Sequence, residues 1–246
     1  MASNSDLSKG EYPSDLDDKS QSVGKACKRW HLETQSYLEQ RTLWPKHGQH
    51  ILAQFDETSV VVYQAFKKSI AAFAVENQRF GGPDYNPDRM SWIKTNFMWM
   101  MYRCGWAQKT NQERVLAIRI SREGFEDILS KAYTAWRQKN EGLQTTDIEV
   151  RLQWDPDHDP HGGKLERRAI QLGLKGKILH AFAKDFIVNI NDITDFVKEQ
   201  YTILQNQGAK ALLSPKERIF VPSRDKTCSD IGLDYMPQQT VVSFTS

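Results

Sequence analysis

The sequence predicts an α+β domain, a single mixed sheet of about five strands packed with four or five helices in irregular strand and helix order. Three observations lead there. Runs of strand length rich in β-branched and aromatic residues recur through the chain, and the first two are followed by apolar residues at helical spacing. Two later runs, Ile148 to Trp154 and Ala169 to Leu174, follow each other with no helical pattern between them, which breaks the regular alternation of a doubly wound fold. A length of 246 residues suits one domain with tails.

Residues 1–22 are rich in Ser, Asp, Lys and Gly and nearly free of large apolar side chains, so a disordered tail is expected, followed by a single domain over 23–207 and an irregular C-terminal arm over 208–246. From Val23 to Gln54 the chain is polar but carries Trp30, Tyr37, Trp44 and Ile51, enough for a helix or two, with Pro45 as a breaker. Val60 to Phe66 opens with three valines and reads as a strand buried on both faces. Lys67 to Gln78 has helical spacing and stops before Gly81-Gly82-Pro83.

The segment RMSWIKTNFMWMMYRCGW, residues 89–106, is the most aromatic of the chain. Met90 to Lys94 reads as a loop, and Phe97 to Cys104 as a short helix capped by Thr95 or Asn96 and closed by Gly105. Arg114 to Ile120 is the second strand, and a helix from a Ser121 cap to Trp136 follows from the spacing of Phe125, Ile128, Leu129 and Ala132. Ile148 to Trp154 alternates cleanly, Ala169 to Leu174 and Phe186 to Ile190 are further strands, and Asp192 to Leu204 is the last helix.

Composition narrows the function classes. With 33 basic and 31 acidic residues the formal net charge is only +2, so any anion site must be local and extended duplex binding is disfavoured. Three widely spaced cysteines argue against a disulfide framework and for a reducing, cytoplasmic setting. No apolar run is long enough to span a bilayer, so no membrane partner is expected. The signatures of P-loop, Rossmann, nucleophile-elbow and His-Glu-x-x-His enzymes are absent, and no pattern assigns a cofactor or an oligomeric state.

The phrases VVYQAF, IAAFAVENQRF, RMSWIKTNFMWMMYRCGWA, QERVLAIRISREGFEDIL, RLQWDPDHDP, RRAIQLGL and FIVNINDITDFV, spread in order from about Val60 to Val197, resemble the family called domain of unknown function 4291. Asn96 and Cys104 stand where small residues such as serine are common in it. The resemblance brings no agreed activity, so function has to be read from the residues.

Arg89, Lys94 and Arg103 are the only charges in the aromatic segment, suited to hold a phosphate or carboxylate while rings such as Tyr102 or Tyr63 stack on a base. The competing reading makes the aromatic stripe ordinary core. Glu166 and Gln171 could meet a ribose or a base edge, or be ordinary surface groups. Asp155, Asp157, Asp159, His161 and Glu166 fall at calcium-loop spacing, but Pro160 stands where the glycine belongs and a strand precedes, so a polar turn accounts for them and no metal is assigned. His47 and His50 read as surface, and burial would leave the Cys104 thiol inert.

The leading expectation is an enzyme for a nucleotide or NAD-like ligand, with Glu166, Tyr63 and Gln64 as catalytic candidates and Arg89, Lys94, Arg103, Tyr102 and Gln171 binding an anionic small molecule or nucleotide. ADP-ribosyltransferases arrange comparable groups from a first strand to a late glutamate, although Tyr63-Gln64 stand here where those enzymes carry a histidine or arginine. The alternatives are a nucleic-acid or nucleotide-binding module without catalysis and an accessory interaction protein of a biosynthetic pathway.

Overall fold

The computed structural model describes residues 30–234. The expected tail over 1–22 lies outside the described residues. In chain order the elements are β1 (Thr34–Ser36), α1 (Tyr37–Leu43), β2 (Ile51–Ala53), β3 (Ser59–Phe66), α2 (Lys68–Asn77), β4 (Ser91–Lys94), α3 (Phe97–Cys104), β5 (Arg114–Ser121), α4 (Arg122–Ser130), β6 (Ala132–Tyr133), α5 (Ala135–Asn140), β7 (Val150–His158), β8 (Lys164–Leu174), α6 (Gly176–Lys184), β9 (Ile187–Asp192), α7 (Thr194–Gln207), β10 (Leu213–Pro215), β11 (Arg218–Phe220) and α8 (Asp225–Ile231). The class is α+β. A mixed sheet of seven strands in the order β6-β7-β8-β4-β3-β5-β9 forms the body, and β1 with β10 and β2 with β11 make two small ribbons.

The three valines of β3 explain the layering. Val60 and Val62 point into a core built with α2, α4, α6 and α8, whereas Val61 and Tyr63 point into a second core built with α1, α3 and α7. A strand with apolar side chains on both faces must be central and covered twice. β3 pairs with β5 along its whole length and is antiparallel to it.

Several boundaries differ from the sequence reading, each for a physical reason. The sheet has seven strands and not the five expected, because Ser91 to Lys94, read as a loop, pairs with Leu174 to Gln171 of β8 and the two-residue β6 pairs with β7. Four residues are too few to show a period, so only a neighbour reveals such a strand. α6 lacks a start signal in the sequence: Ile178, Leu179, Phe182 and Ala183 bury one face, but Lys175 offers no side-chain cap. The helix expected through Trp136 stops at Ser130, β6 pairs in parallel with β7, and Trp136 on α5 is 74% exposed. Ile51 to Ala53 is strand, pairing with Phe220 to Arg218, and the expected irregular arm past Gly208 contains β10, β11 and α8 within the described residues.

α3 has the expected bounds. The Asn96 side chain accepts from Trp99 N at 2.7 Å, and Gly105 in the left-handed region (φ 59°) donates its N–H to Met101 O. Its first turn has a second acceptor from far along the chain. The buried carboxylate of Glu217 receives Phe97 N at 2.6 Å and Asn96 Nδ2 at 3.1 Å, placing an acid at a helix N-terminus. Burial pushes its pKa well above the carboxylate range, and the bond from Phe97 opposes that. Replacing Glu217 with Ala strands two buried donors and is expected to cost about 1–3 kcal/mol in urea unfolding, with Glu217→Gln costing less because one acceptor remains. Equal losses in the two variants would show that the acceptor contributes nothing.

Candidate functional site

The sheet is split at one place, and the split is the site. β3 and β4 pair at a single position, Tyr63 opposite Lys94. Beyond it the Gln64 side chain stands in for the ladder, its Nε2 donating to Trp92 O at 3.0 Å and to Ser91 Oγ at 2.7 Å. The Gln64 Oε1 is buried without a partner. Between the diverging strands, the 84–92 segment and the end of α3 lies a cleft of about 720 Å³, whose lining includes Gln64, Phe66, Tyr85, Arg89, Trp92, Lys94, Arg103 and Gln171. The Trp92 indole lies over Gly173, where an added Cβ would come within 2.9 Å of it and within 2.7 Å of Met90 Sδ, so glycine opposite Trp92 is a packing requirement.

Lys94 is the unusual group. It is 4% exposed, and its Nζ lies 5.2 Å from the ring centroid of Trp99, five residues along on α3. No carboxylate among the described residues forms an ion pair with it. Burial first, and the positive charge of Arg103 second, push its pKa down from 10.5 to about 8, against the pull of Asp155 and Cys104. Across the ladder from Lys94 sits Gln171, whose Nε2 donates to Asp155 Oδ2 at 2.6 Å and Gln153 Oε1 at 2.8 Å. Burial raises the pKa of Asp155, while the Gln171 bond and Lys94 lower it. Lys94, Gln171 and Asp155 thus stand on the adjacent strands β4, β8 and β7, with burial biasing the amine and the carboxyl toward their neutral forms.

The cleft is electropositive. Arg89 and Arg103 are exposed on its wall and, among the described residues, have no acidic partner, whereas Asp84 on the same wall is held by Lys67 at 2.9 Å. Three cations therefore converge without an ion pair among the described residues. Two guanidinium groups and an amine around a hollow are a setting for phosphate or carboxylate.

The structure gathers Gln64, Arg89, Lys94, Arg103 and Gln171 on this one cleft and leaves three of the sequence candidates off its lining. Glu166 is exposed near the β7–β8 hairpin end and pairs with His47 Nδ1. Tyr63 is fully buried, edge to face with Phe97 at 5.6 Å, its hydroxyl without a partner and its pKa raised by burial and by Glu217. It packs in the second core and cannot stack on a ligand in the cleft. Tyr102 is 43% exposed but stacks on the His158 ring at 3.5 Å, with Trp99 packed edge-on against it, and it is off the cleft lining. The segment at calcium-loop spacing is mostly strand: Asp157 is bound by Arg167 Nε at 2.9 Å, and Asp159 Oδ1 accepts the amides of His161 and Gly163 to close the turn. Asp155, a loop ligand in the sequence reading, is instead the carboxyl bonded by Gln171, the ladder partner of Lys94. Its signal is the alternation of Gln153 and Asp155 on one face of β7. Burial raises the pKa of the Cys104 thiol, which fits an inert packing residue.

A family model described as Domain of unknown function (DUF4291) matches residues 50–220. The chain belongs to the DUF4291 family. The matched span holds the whole cleft, the Lys94–Gln171–Asp155 line and Glu217, so the split sheet and the acid that anchors α3 lie inside the DUF4291 domain. No curated protein matches the chain. Within the described residues of the DUF4291 chain no helix is long and apolar enough to cross a membrane.

The depressed pKa of Lys94 has a thermodynamic consequence. At pH 7 both folded and unfolded chains hold the proton, and the folded one bears the cost of a buried charge, about 3 kcal/mol for a fall from 10.5 to about 8. As pH rises from 8 to 10.5 the folded amine is neutral while the unfolded one is still charged, so that cost disappears. Lys94→Met is therefore expected to raise unfolding stability at pH 7 by up to about 3 kcal/mol and to lose this advantage by pH 10.5. A variant less stable than wild type at both pH values, with no pH trend in the difference, would contradict the buried-charge reading.

Proposed function

We propose that the DUF4291 cleft is the active site of an enzyme acting on a phosphorylated small molecule of the nucleotide class. The observation that carries this is the convergence of Arg89, Lys94 and Arg103, none neutralised by an acid among the described residues, on a concave site walled by Phe66, Tyr85 and Trp92. Guanidinium groups grip phosphate bidentately, and rings accept a base by stacking. The buried, unpartnered Oε1 of Gln64 is an acceptor for an N–H of the ligand.

Lys94 is the group that acts on the ligand, since burial biases its amine toward the neutral, basic form, and Asp155 stands behind it on Gln171. An NAD-like dinucleotide offers two phosphates to the two arginines, and Asp155, bonded to the lining residue Gln171, is the carboxyl on which ADP-ribosyl transfer would draw in place of Glu166. The hollow shape favours a small ligand over a nucleic-acid strand, which needs an extended cationic path. The buried free thiols of Cys104 and Cys228 accord with a cytoplasmic setting.

Thermal-shift measurements with ATP, ADP, NAD and ADP-ribose at millimolar concentration test the reading. At least one ligand is expected to raise Tm, by an amount equivalent to about 2.7 kcal/mol at a hundredfold excess over Kd. Arg89→Ala and Arg103→Ala should each abolish most of the shift, and Lys177→Ala, off the cleft, should keep it. No shift with any of the four, or shifts unchanged in both arginine variants, would overturn the proposal. Tighter binding of a short RNA than of any mononucleotide would favour the non-catalytic nucleic-acid module instead.

A further inference from the structure

We propose that Lys94 is a covalent nucleophile that condenses with the aldehyde or ketone carbon of a phosphorylated substrate to form a Schiff base in the cleft. The inference rests on the anion-binding reading above and adds to it the reacting atom and the substrate class. An amine that only neutralises phosphate gains nothing from burial, which strips its hydration and weakens its charge; surface arginines do that work already in Arg89 and Arg103. Lys94 is placed differently. Its side chain is 4% exposed at the cleft floor, its amine faces the Trp99 ring, and no acid among the described residues pairs with it to hold it as an ammonium ion. A second cation, Arg103, lies close enough to disfavour its protonation. Desolvation beside another cation is the setting in which a lysine becomes a nucleophile near neutral pH.

The neighbouring arginines position the reactants of this step. The Lys94 lone pair attacks the carbonyl carbon, forming a C–N bond while the C=O π pair moves to oxygen. Proton transfer from nitrogen to that oxygen gives a neutral carbinolamine. Loss of its hydroxyl as water needs one proton, which a hydronium ion in the solvent-open cleft supplies. The result is an iminium ion and two water molecules, one from the lost hydroxyl and one from the hydronium ion, with charge and atoms balanced. Hydrolysis reverses each step. Arg89 and Arg103 hold the phosphate and so fix the carbonyl over the amine. In the nucleotide class such a carbonyl is the open-chain aldehyde of a reducing sugar, either a free sugar phosphate or the terminal ribose of an ADP-ribose-type molecule.

Borohydride trapping distinguishes these cases. The full chain is incubated at pH 8 with ribose 5-phosphate or ADP-ribose, reduced with cyanoborohydride, which delivers hydride to the C=N bond, and mapped by peptide mass spectrometry. The expected result is a reduced adduct on Lys94 at least about tenfold above exposed lysines such as Lys177 and Lys226, because only at Lys94 does the bound phosphate hold the carbonyl over the amine. Adduct with ribose 5-phosphate alone assigns a free sugar phosphate, and adduct with ADP-ribose alone assigns the nucleotide-linked sugar; either supports the proposal. Label spread over exposed lysines with none enriched on Lys94 overturns it. A parallel thermal shift with ribitol 5-phosphate and ADP, which carry phosphate and no carbonyl, separates the two readings. A shift without a Lys94 adduct removes the Schiff base and leaves the anion site, whereas neither shift nor adduct removes both.

Discussion

The link of two residues between β4 and α3, pinned from beneath by Glu217, is the constraint on which the rest of the site depends. Thr95 and Asn96 leave no slack between a strand that ends at Lys94 and a helix that begins at Phe97. The Glu217 carboxylate accepts from the first helical amide and from the capping Asn96. Its own backbone is fixed in turn, the N–H donating to Gln40 Oε1 at 2.7 Å and the carbonyl accepting Trp44 Nε1 at 3.1 Å. A residue late in the chain thereby ties α1, β4 and α3 into one unit. With the junction fixed, Trp99 falls over the Lys94 amine and Arg103, one helical turn further on, reaches the same cleft.

The second constraint is the unfinished ladder between β3 and β4. A complete pairing would have closed the sheet and left no hollow. Gln64 ends the pairing by bonding the β4 backbone with its side chain, which satisfies Trp92 O without drawing the strands together. The result is a central sheet that is rigid on both sides of a local gap, with β3 bound fully to β5 and β4 fully to β8. Groups on rigid strands hold their positions better than groups on loops. Lys94, Gln171 and Asp155 all stand on strands.

Much of this was legible from the residues. Asn96 and Gly105 mark the ends of α3 by capping chemistry, and the valines of β3 announce a strand covered twice. The cations of the aromatic segment stand out because they are few. Other features carry no local signal. β4 is too short to show a period, and α6 starts at a glycine with no side-chain cap. Glu217 lies some 120 positions from the helix it serves, a pairing that only the folded chain defines. Glu166 and Asp155 illustrate the same limit: both are acids of one hairpin, and only the folded chain shows that Asp155 accepts from Gln171 while Glu166 pairs with His47.

The most direct measurement is a crystal structure of the DUF4291 chain grown with ADP-ribose. Phosphate oxygens within hydrogen-bond distance of both the Arg89 and Arg103 guanidinium groups, with the ligand reaching Lys94, is the predicted result. Ligand bound away from the split between β3 and β4, or bound there with both arginines turned from its phosphates, would contradict the account.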